Sequence, residues 1–255
     1  MLLKRVIPSL LYSNSGLYKT VKFGKKKYLG DVINSVRLFN DLGADELILL
    51  DIDATRKSRG PNLELVDNLA SECFMPLTYG GGVASLTDAE ALLRLGVEKI
   101  CLNSAVIDYP DLINRLAERF GSSTIIVSID VKKNIFGKTK VFSFRDNSLL
   151  DTDLIDHVKN IALRGAGEIL VTNVDKEGTQ TGFDISLISK VSDSVNIPVI
   201  VNGGCGNFSD IIEAFNAGAS AVSCGSKFVY DGPHNAVLIN YLSDDEYKQL
   251  NPNLG

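Results

Sequence analysis

One pattern limits the fold of this chain more than any other: eight short, β-branched, apolar runs alternate with eight amphipathic stretches along almost the whole length. The runs predict strands at Val6–Leu10, Leu47–Ile52, Pro76–Tyr79, Lys99–Asn103, Thr124–Asp130, Ile169–Asn173, Pro198–Asn202 and Ala221–Gly225. Each is nearly continuous in apolar residues, as in a parallel sheet covered on both faces. Helices are predicted between them, at about 31–42, 63–73, 85–95, 110–120, 152–164, 185–194, 208–217 and 234–242. Ser85 and Asp184 stand where helices should start, and Gly43, Gly96 and Gly218 where they should stop. Eight β-then-α units in 255 residues fit an α/β closed (β/α)8 barrel of the TIM type. An open doubly wound sheet is the competing arrangement.

An internal repeat favours the closed form. Ala44–Asp53 (ADELILLDID) resembles Ala166–Asp175 (AGEILVTNVD), and the same offset carries Pro76 to Pro198, Gly81-Gly82 to Gly203-Gly204, Asp88 to Asp210, Gly96 to Gly218 and Ser104 to Ser226. The expected organisation is one barrel domain over 1–255, built from half-barrels at about 1–121 and 122–242, with a polar tail at 243–255. Two segments break the alternation: Tyr18–Gly30, with five lysines, and Lys132–Asn147, which has the makings of a small hairpin around Phe136-Gly137.

Composition removes whole classes of function. An apolar share of 45% excludes a disordered chain, and four cysteines without paired spacing exclude a disulfide scaffold. A net charge of −5 argues against a nucleic-acid partner. No apolar run reaches the ~18 residues of a membrane span, so no membrane partner and a cytoplasmic location are expected. With two histidines a His-rich metal site is not expected, and nothing calls for a cofactor.

In such barrels ligands bind where the carboxyl ends of the strands open into loops. Gly81 and Gly82, and in the repeat Gly203 and Gly204, let backbone N–H groups approach a phosphate; Asn103-Ser104 and Gly225-Ser226 stand beside them. Two such places suit a phosphorylated small molecule with two phosphate groups, although the glycines could simply make tight βα turns. Asp51, ending the second strand, and Thr172, Asp175 and Gly178, at and just after the end of the sixth, complete the candidate ligand-binding set. Asp130, ending the fifth strand, is a candidate acid/base, or a structural carboxylate bonded to loop amides. Laying Val6–Leu11 over Ile125–Asp130 places Leu11 opposite Asp130, and leucine can move no proton. At the other end of the strands, Arg5, Glu46, Lys99 and Glu168 could close the barrel with a neutral ring, which on these residues alone reads as an ordinary set of ion pairs.

The stretches Lys4–Pro8 (KRVIP), Gly43–Leu47 (GADEL), Leu50–Ile52 (LDI), Tyr79–Val83 (YGGGV), Gly165–Leu170 (GAGEIL) and Asp175–Thr179 (DKEGT) resemble the cyclase subunit of imidazole glycerol phosphate synthase over about residues 2–242. The resemblance implies a (β/α)8 barrel partnered by a class I glutaminase at its foot, with ammonia passing through the lumen. It also makes Arg5, Glu46, Lys99 and Glu168 the ammonia gate, and Asp130 and Lys19 the catalytic aspartate and lysine. The family's strand-one aspartate, in Pro-Cys-Leu-Asp, is Leu11 here in Pro8-Ser9-Leu10-Leu11. Asn202 and Glu177 also depart, standing where a serine and an aspartate are usual. The segment Leu17–Phe23 (LYKTVKF), with Tyr28–Asp31 (YLGD), resembles the WbuZ-type glycosyl amidation paralogues of surface-polysaccharide gene clusters. That implies cyclase activity lost and ammonia handed to a sugar amidotransferase. The alternatives are a working cyclase subunit in histidine biosynthesis and a regulatory barrel that binds a phosphorylated metabolite.

Overall fold

The computed structural model describes residues 3–232 and 234–252. Eight parallel strands form the barrel: β1 (Arg5–Ser13), β2 (Leu47–Asp51), β3 (Leu77–Gly80), β4 (Lys99–Leu102), β5 (Ile125–Lys133), β6 (Glu168–Asn173), β7 (Val199–Asn202) and β8 (Ala221–Cys224). Each pairs with the next, and β8 returns to β1 through Arg5↔Ala221 and Val6↔Val222. The eight-stranded barrel therefore closes on itself, which excludes the open alternative.

Helices α1 (Val32–Asp41), α2 (Leu63–Ala70), α3 (Leu86–Arg94), α4 (Asp111–Phe120), α5 (Leu154–Leu163), α6 (Ile185–Ser192) and α7 (Phe208–Asn216) lie outside it. Their start signals act as read: the Ser85 side chain accepts the Asp88 N–H and that of Asp184 accepts the Leu187 N–H. Between helices and strands lies the main apolar core, with Phe39, Leu69, Leu92, Leu116 and Ile211 fully buried. A second, smaller apolar layer sits inside the barrel: Ile7, Ile48, Cys101, Ile126, Leu170, Ile200 and Ala221.

The last expected helix, 234–242, does not form. Gly232 (φ 67°) and Asn235 (φ 48°) turn the chain instead, and Tyr230–Asp231 pairs with Ala236–Val237 as a two-residue ladder. A short helix over Ser226–Val229 takes its place after β8, and α8 (Asp244–Leu250) follows. Ser243 and Glu246 cap α8 reciprocally. It is fastened under the barrel by Tyr247 Oη donating to Asp45 (2.9 Å) and by the Lys4 N–H donating to Asn251 (3.0 Å). Of the tail expected at 243–255, residues 253–255 lie outside the described residues, as do Met1, Leu2 and Pro233.

Both segments that interrupt the alternation are hairpins at the carboxyl ends of the strands. After β1, strands 16–19 and 27–30 fold back over the mouth; after β5, strand 139–143 returns antiparallel to Val131–Lys133.

Candidate functional site

Side chains on alternate residues of each strand face the lumen and form layers from foot to mouth. Four charges make the lowest layer. Arg5 donates to Glu46 (2.8 Å) and to Glu168 (2.8 Å), and Lys99 bridges the same two carboxylates at 2.6 Å to Glu168 and 3.6 Å to Glu46. Burial alone would raise the Glu168 pKa, but the bonds from Arg5 and Lys99 outweigh it and hold the group below its ordinary value. Every charge has a partner of opposite sign, so the ring is neutral. Above it lies the apolar layer, and above that a polar one containing Ser9, Ser128, Thr172 and Asn202.

The mouth is a cavity of about 210 Å3. Asp130 points into it from β5, which does not stop there as expected but continues three residues further to Lys133 as one arm of the hairpin; its carboxylate accepts a hydrogen bond from Asn103 Nδ2 (3.0 Å). Burial pushes its pKa up to about 7; the Asn103 bond opposes this, and the nearby Glu177 charge adds to it. Such a carboxyl can hold or release a proton near neutrality. Leu11 is half-buried on the cavity wall, where it presents only methyl groups.

Lys19 reaches the cavity from the first hairpin but is salt-bridged to Glu177. The other Glu177 oxygen accepts from Thr20 Oγ1 (3.0 Å) and the Phe23 N–H (3.1 Å). Glu177, from the loop after β6, is thus a buried carboxylate in the same cavity as Asp130, and it ties the first hairpin down across the mouth.

The paired glycine turns keep the repeat in atomic detail. Gly81 (φ 116°) and Gly203 (φ 95°) both have positive φ, and a Cβ on either would run into backbone: Asp51 under Gly81, Asn173 under Gly203. A Cβ on Gly82 would strike Gly60, and one on Gly204 would strike Gly182. Asp51 and Gly60 are themselves the repeat partners of Asn173 and Gly182, so the close approaches recur in each half.

Gly81, Asn103 and Ser104 line the large cavity with Thr172 and Asp51. Gly203, Gly204, Gly178 and Ser226 line a separate small recess beside Lys19, and Gly225 borders both. The Ser226 and Ser223 hydroxyls in this recess are buried with no hydrogen-bond partner. Orphaned donors around glycine backbone fit an incoming anion.

Asp51 accepts the Asp53 (3.0 Å) and Ala54 (3.1 Å) N–H groups through one oxygen, while the other is buried without a hydrogen bond, 3.5 Å from Arg59. Burial raises its pKa. Two expected residues are not on a wall. Gly82 packs against the 59–60 backbone, and Asp175 accepts the Lys133 N–H (2.8 Å), clamping the loop after β6 to the end of β5.

Sequence reasoning passed over part of the wall. Phe23 and Phe144 meet edge to face (5.2 Å between centroids), and the Arg56 guanidinium lies 4.0 Å from the Phe144 ring centre, all bordering the cavity. Arg145, next to Phe144, pairs with Asp108 and Asp146. Phe23 and Phe144 come from the two segments that break the alternation, and that interruption was the available signal.

These features define a closed (β/α)8 barrel with an anion-suited mouth above a charged ring. Residues 5–235 match the family model described as "Histidine biosynthesis protein", and the chain belongs to that family. It is 45% identical over 242 residues to a Pseudomonas aeruginosa protein provisionally named imidazole glycerol phosphate synthase subunit hisF2, covering 94% of this chain and 96% of the relative. It is 46% identical over 254 residues to the provisionally named hisF3 subunit of Vibrio vulnificus, covering 98% and 96%. The imidazole glycerol phosphate synthase subunit HisF of Helicobacter hepaticus is 40% identical over 243 residues, covering 95% and 96%.

Proposed function

We propose that this HisF-like chain is the ammonia-conducting subunit of a glutamine amidotransferase complex, and that it no longer cyclises. Ammonia released by a class I, HisH-like glutaminase at the foot would cross the Arg5, Glu46, Lys99 and Glu168 gate and the lumen, and pass to a sugar amidotransferase that forms acetamidino sugars for surface polysaccharide. The observation that carries this reading is the coexistence of the complete four-charge ring with Leu11 facing the mouth that Asp130 also lines. Docking at the foot is supported by exposed Leu3, Leu42, Phe74 and Leu163, all on segments leading into the amino ends of strands. Loss of one acid/base group typically costs about 10²–10⁴ in rate. The glycine turns, Asn103, Ser104 and Ser226 would hold a phosphorylated ligand at the mouth.

The chain purified with its glutaminase should hydrolyse glutamine yet give negligible turnover of the family's bisphosphorylated substrate, even with ammonium salts. Robust cyclisation would reject the proposal. So would growth of a histidine auxotroph that lacks the cyclase and carries this chain instead.

Glu177 favours a second reading. Its carboxylate shares the cavity with Asp130, and a proton relayed through Lys19 would restore a two-carboxyl arrangement and make the chain a working imidazole glycerol phosphate synthase subunit. Against this, both Glu177 oxygens already accept bonds, from Lys19, Thr20 and the Phe23 N–H, which suits an anchoring carboxylate better than a proton shuttle. Glu177→Gln separates the two: loss of cyclisation in a cyclising protein supports the second.

A further inference from the structure

The hairpin that prolongs β5 beyond the barrel rim has a tip that the site does not use. Lys132 pairs with Lys140 and Lys133 with Thr139 in the ladder, and the turn between them is braced from within. Asn134 Oδ1 accepts the N–H groups of Phe136 (3.0 Å) and Lys138 (2.9 Å), and Gly137 takes φ 75°. The tip is therefore an ordered finger, and it holds Ile135 and Phe136 out at 93% and 85% exposure. Two adjacent large apolar side chains are thus displayed to solvent on a braced turn.

Lys133 and Lys138 flank the tip, and Lys22 and Lys25 stand on the first hairpin across the same rim. All four are exposed, and among the described residues none has a side-chain ion pair, although the whole chain carries a net charge of −5. The end of the barrel that holds the cavity is thus locally basic and apolar on an acidic protein. The finger is also continuous with the cavity, because its returning strand leads directly into Phe144 and Arg145 on the wall.

We propose that this finger is the docking element for the ammonia-accepting enzyme, which would seat an acidic surface with an apolar recess for Ile135 and Phe136 over the mouth. The proposal rests on the conduit reading. Ammonia leaving an uncovered mouth is diluted into solvent, so the acceptor has to cover the opening, and a protein gripping the finger does so. A bilayer meeting the same finger would offer ammonia nothing to react with, so a protein partner is favoured over a membrane.

The test reconstitutes glutaminase, this chain and the sugar amidotransferase, comparing wild type with an Ile135→Asp/Phe136→Asp double variant and a Lys133→Glu/Lys138→Glu double variant. Both pairs are on the surface and outside the site, and circular dichroism checks the fold. The expected result is a loss of at least about tenfold in glutamine-dependent amidation, with glutamine hydrolysis and ammonium-dependent amidation unchanged. Equal coupling by wild type and variants overturns the docking role and leaves the conduit standing. A wild type that couples nothing overturns both. Unchanged coupling, with binding to phosphatidylcholine–phosphatidylglycerol vesicles that the apolar variant loses, overturns the protein partner in favour of a membrane.

Discussion

The buried Asp130 carboxyl on β5 makes this molecule respond to pH. Burial penalises the Asp130 charge, the Asn103 bond offsets only part of that, and the Glu177 charge adds to it, so the folded pKa is about 7 against an unfolded value near 3.9. Between those values the folded state holds a proton that the unfolded state has released. Stability from this group is therefore complete below about pH 4 and falls as pH rises through 7. Asp130→Asn removes the ionisation. Its melting temperature should exceed wild type at pH 8, by up to about 4 kcal/mol of stability, and the difference should shrink by pH 5. Thermal unfolding at the two pH values measures it, and a gap that widens toward acid contradicts the assignment. Leu11→Asp is the complementary change. It sets a second carboxyl on the cavity wall, and ammonium-dependent cyclisation should rise at least about 100-fold from background if the missing acid is what stopped it. Single-turnover assays with the bisphosphorylated substrate would read the gain, and no gain means that other departures at the mouth also block the chemistry.

Elements were legible wherever their signals were local. All eight strands lie where the apolar runs put them, because a strand covered on both faces has no polar positions to confuse the reading. Ser85, Asp184 and the stop glycines marked helix ends through hydrogen bonds made within a turn. The exception, 234–242, has an apolar pattern that a helix could use, but Gly232 and Asn235 adopt positive φ there and local turn geometry prevailed over periodicity. The repeat let a glycine in one half be read from its partner in the other, and it yields a test at this scale. Gly81→Ala and Gly203→Ala force a Cβ into strand-end backbone at positive φ, so each should cost at least about 2 kcal/mol in urea unfolding. The two glycines pack on different residues, Asp51 and Asn173 respectively, so the double variant should lose close to the sum. Asp130 and the glycine turns were visible because they follow directly on the apolar runs, although β5 continues past Asp130 to Lys133. The Glu177 anchor and the Phe23–Phe144–Arg56 wall were not, since each joins segments more than 80 residues apart, a distance over which no spacing rule operates.

For the whole molecule, the decisive feature is that closure of the sheet gathers residues distant in the chain into one ring. Arg5, Glu46, Lys99 and Glu168 stand at the amino ends of four different strands, and only a barrel brings them to the foot together. Removing one member of a buried ion pair strands its partner's charge, commonly at a cost of about 3–5 kcal/mol, and less where water still reaches the group. The ring is unequal in this respect. Arg5 donates to both glutamates at 2.8 Å, whereas Lys99 is close to Glu168 alone, 2.6 Å away, and stands 3.6 Å from Glu46. Arg5→Met should therefore destabilise by about 3 kcal/mol and Lys99→Met by roughly half as much, the guanidinium still holding both carboxylates in the latter. Function should rank the other way if the ring is a gate. Lys99→Met leaves the barrel folded but removes the cation from one side of the opening, so glutamine-dependent transfer should become leaky, with more ammonia released per glutamine hydrolysed, while ammonium-dependent amidation by the acceptor enzyme holds. Urea unfolding and a paired assay of free ammonia and aminated product separate the two effects. If transfer efficiency simply tracks stability across both variants, the ring is a structural plug and the route of ammonia must be sought elsewhere.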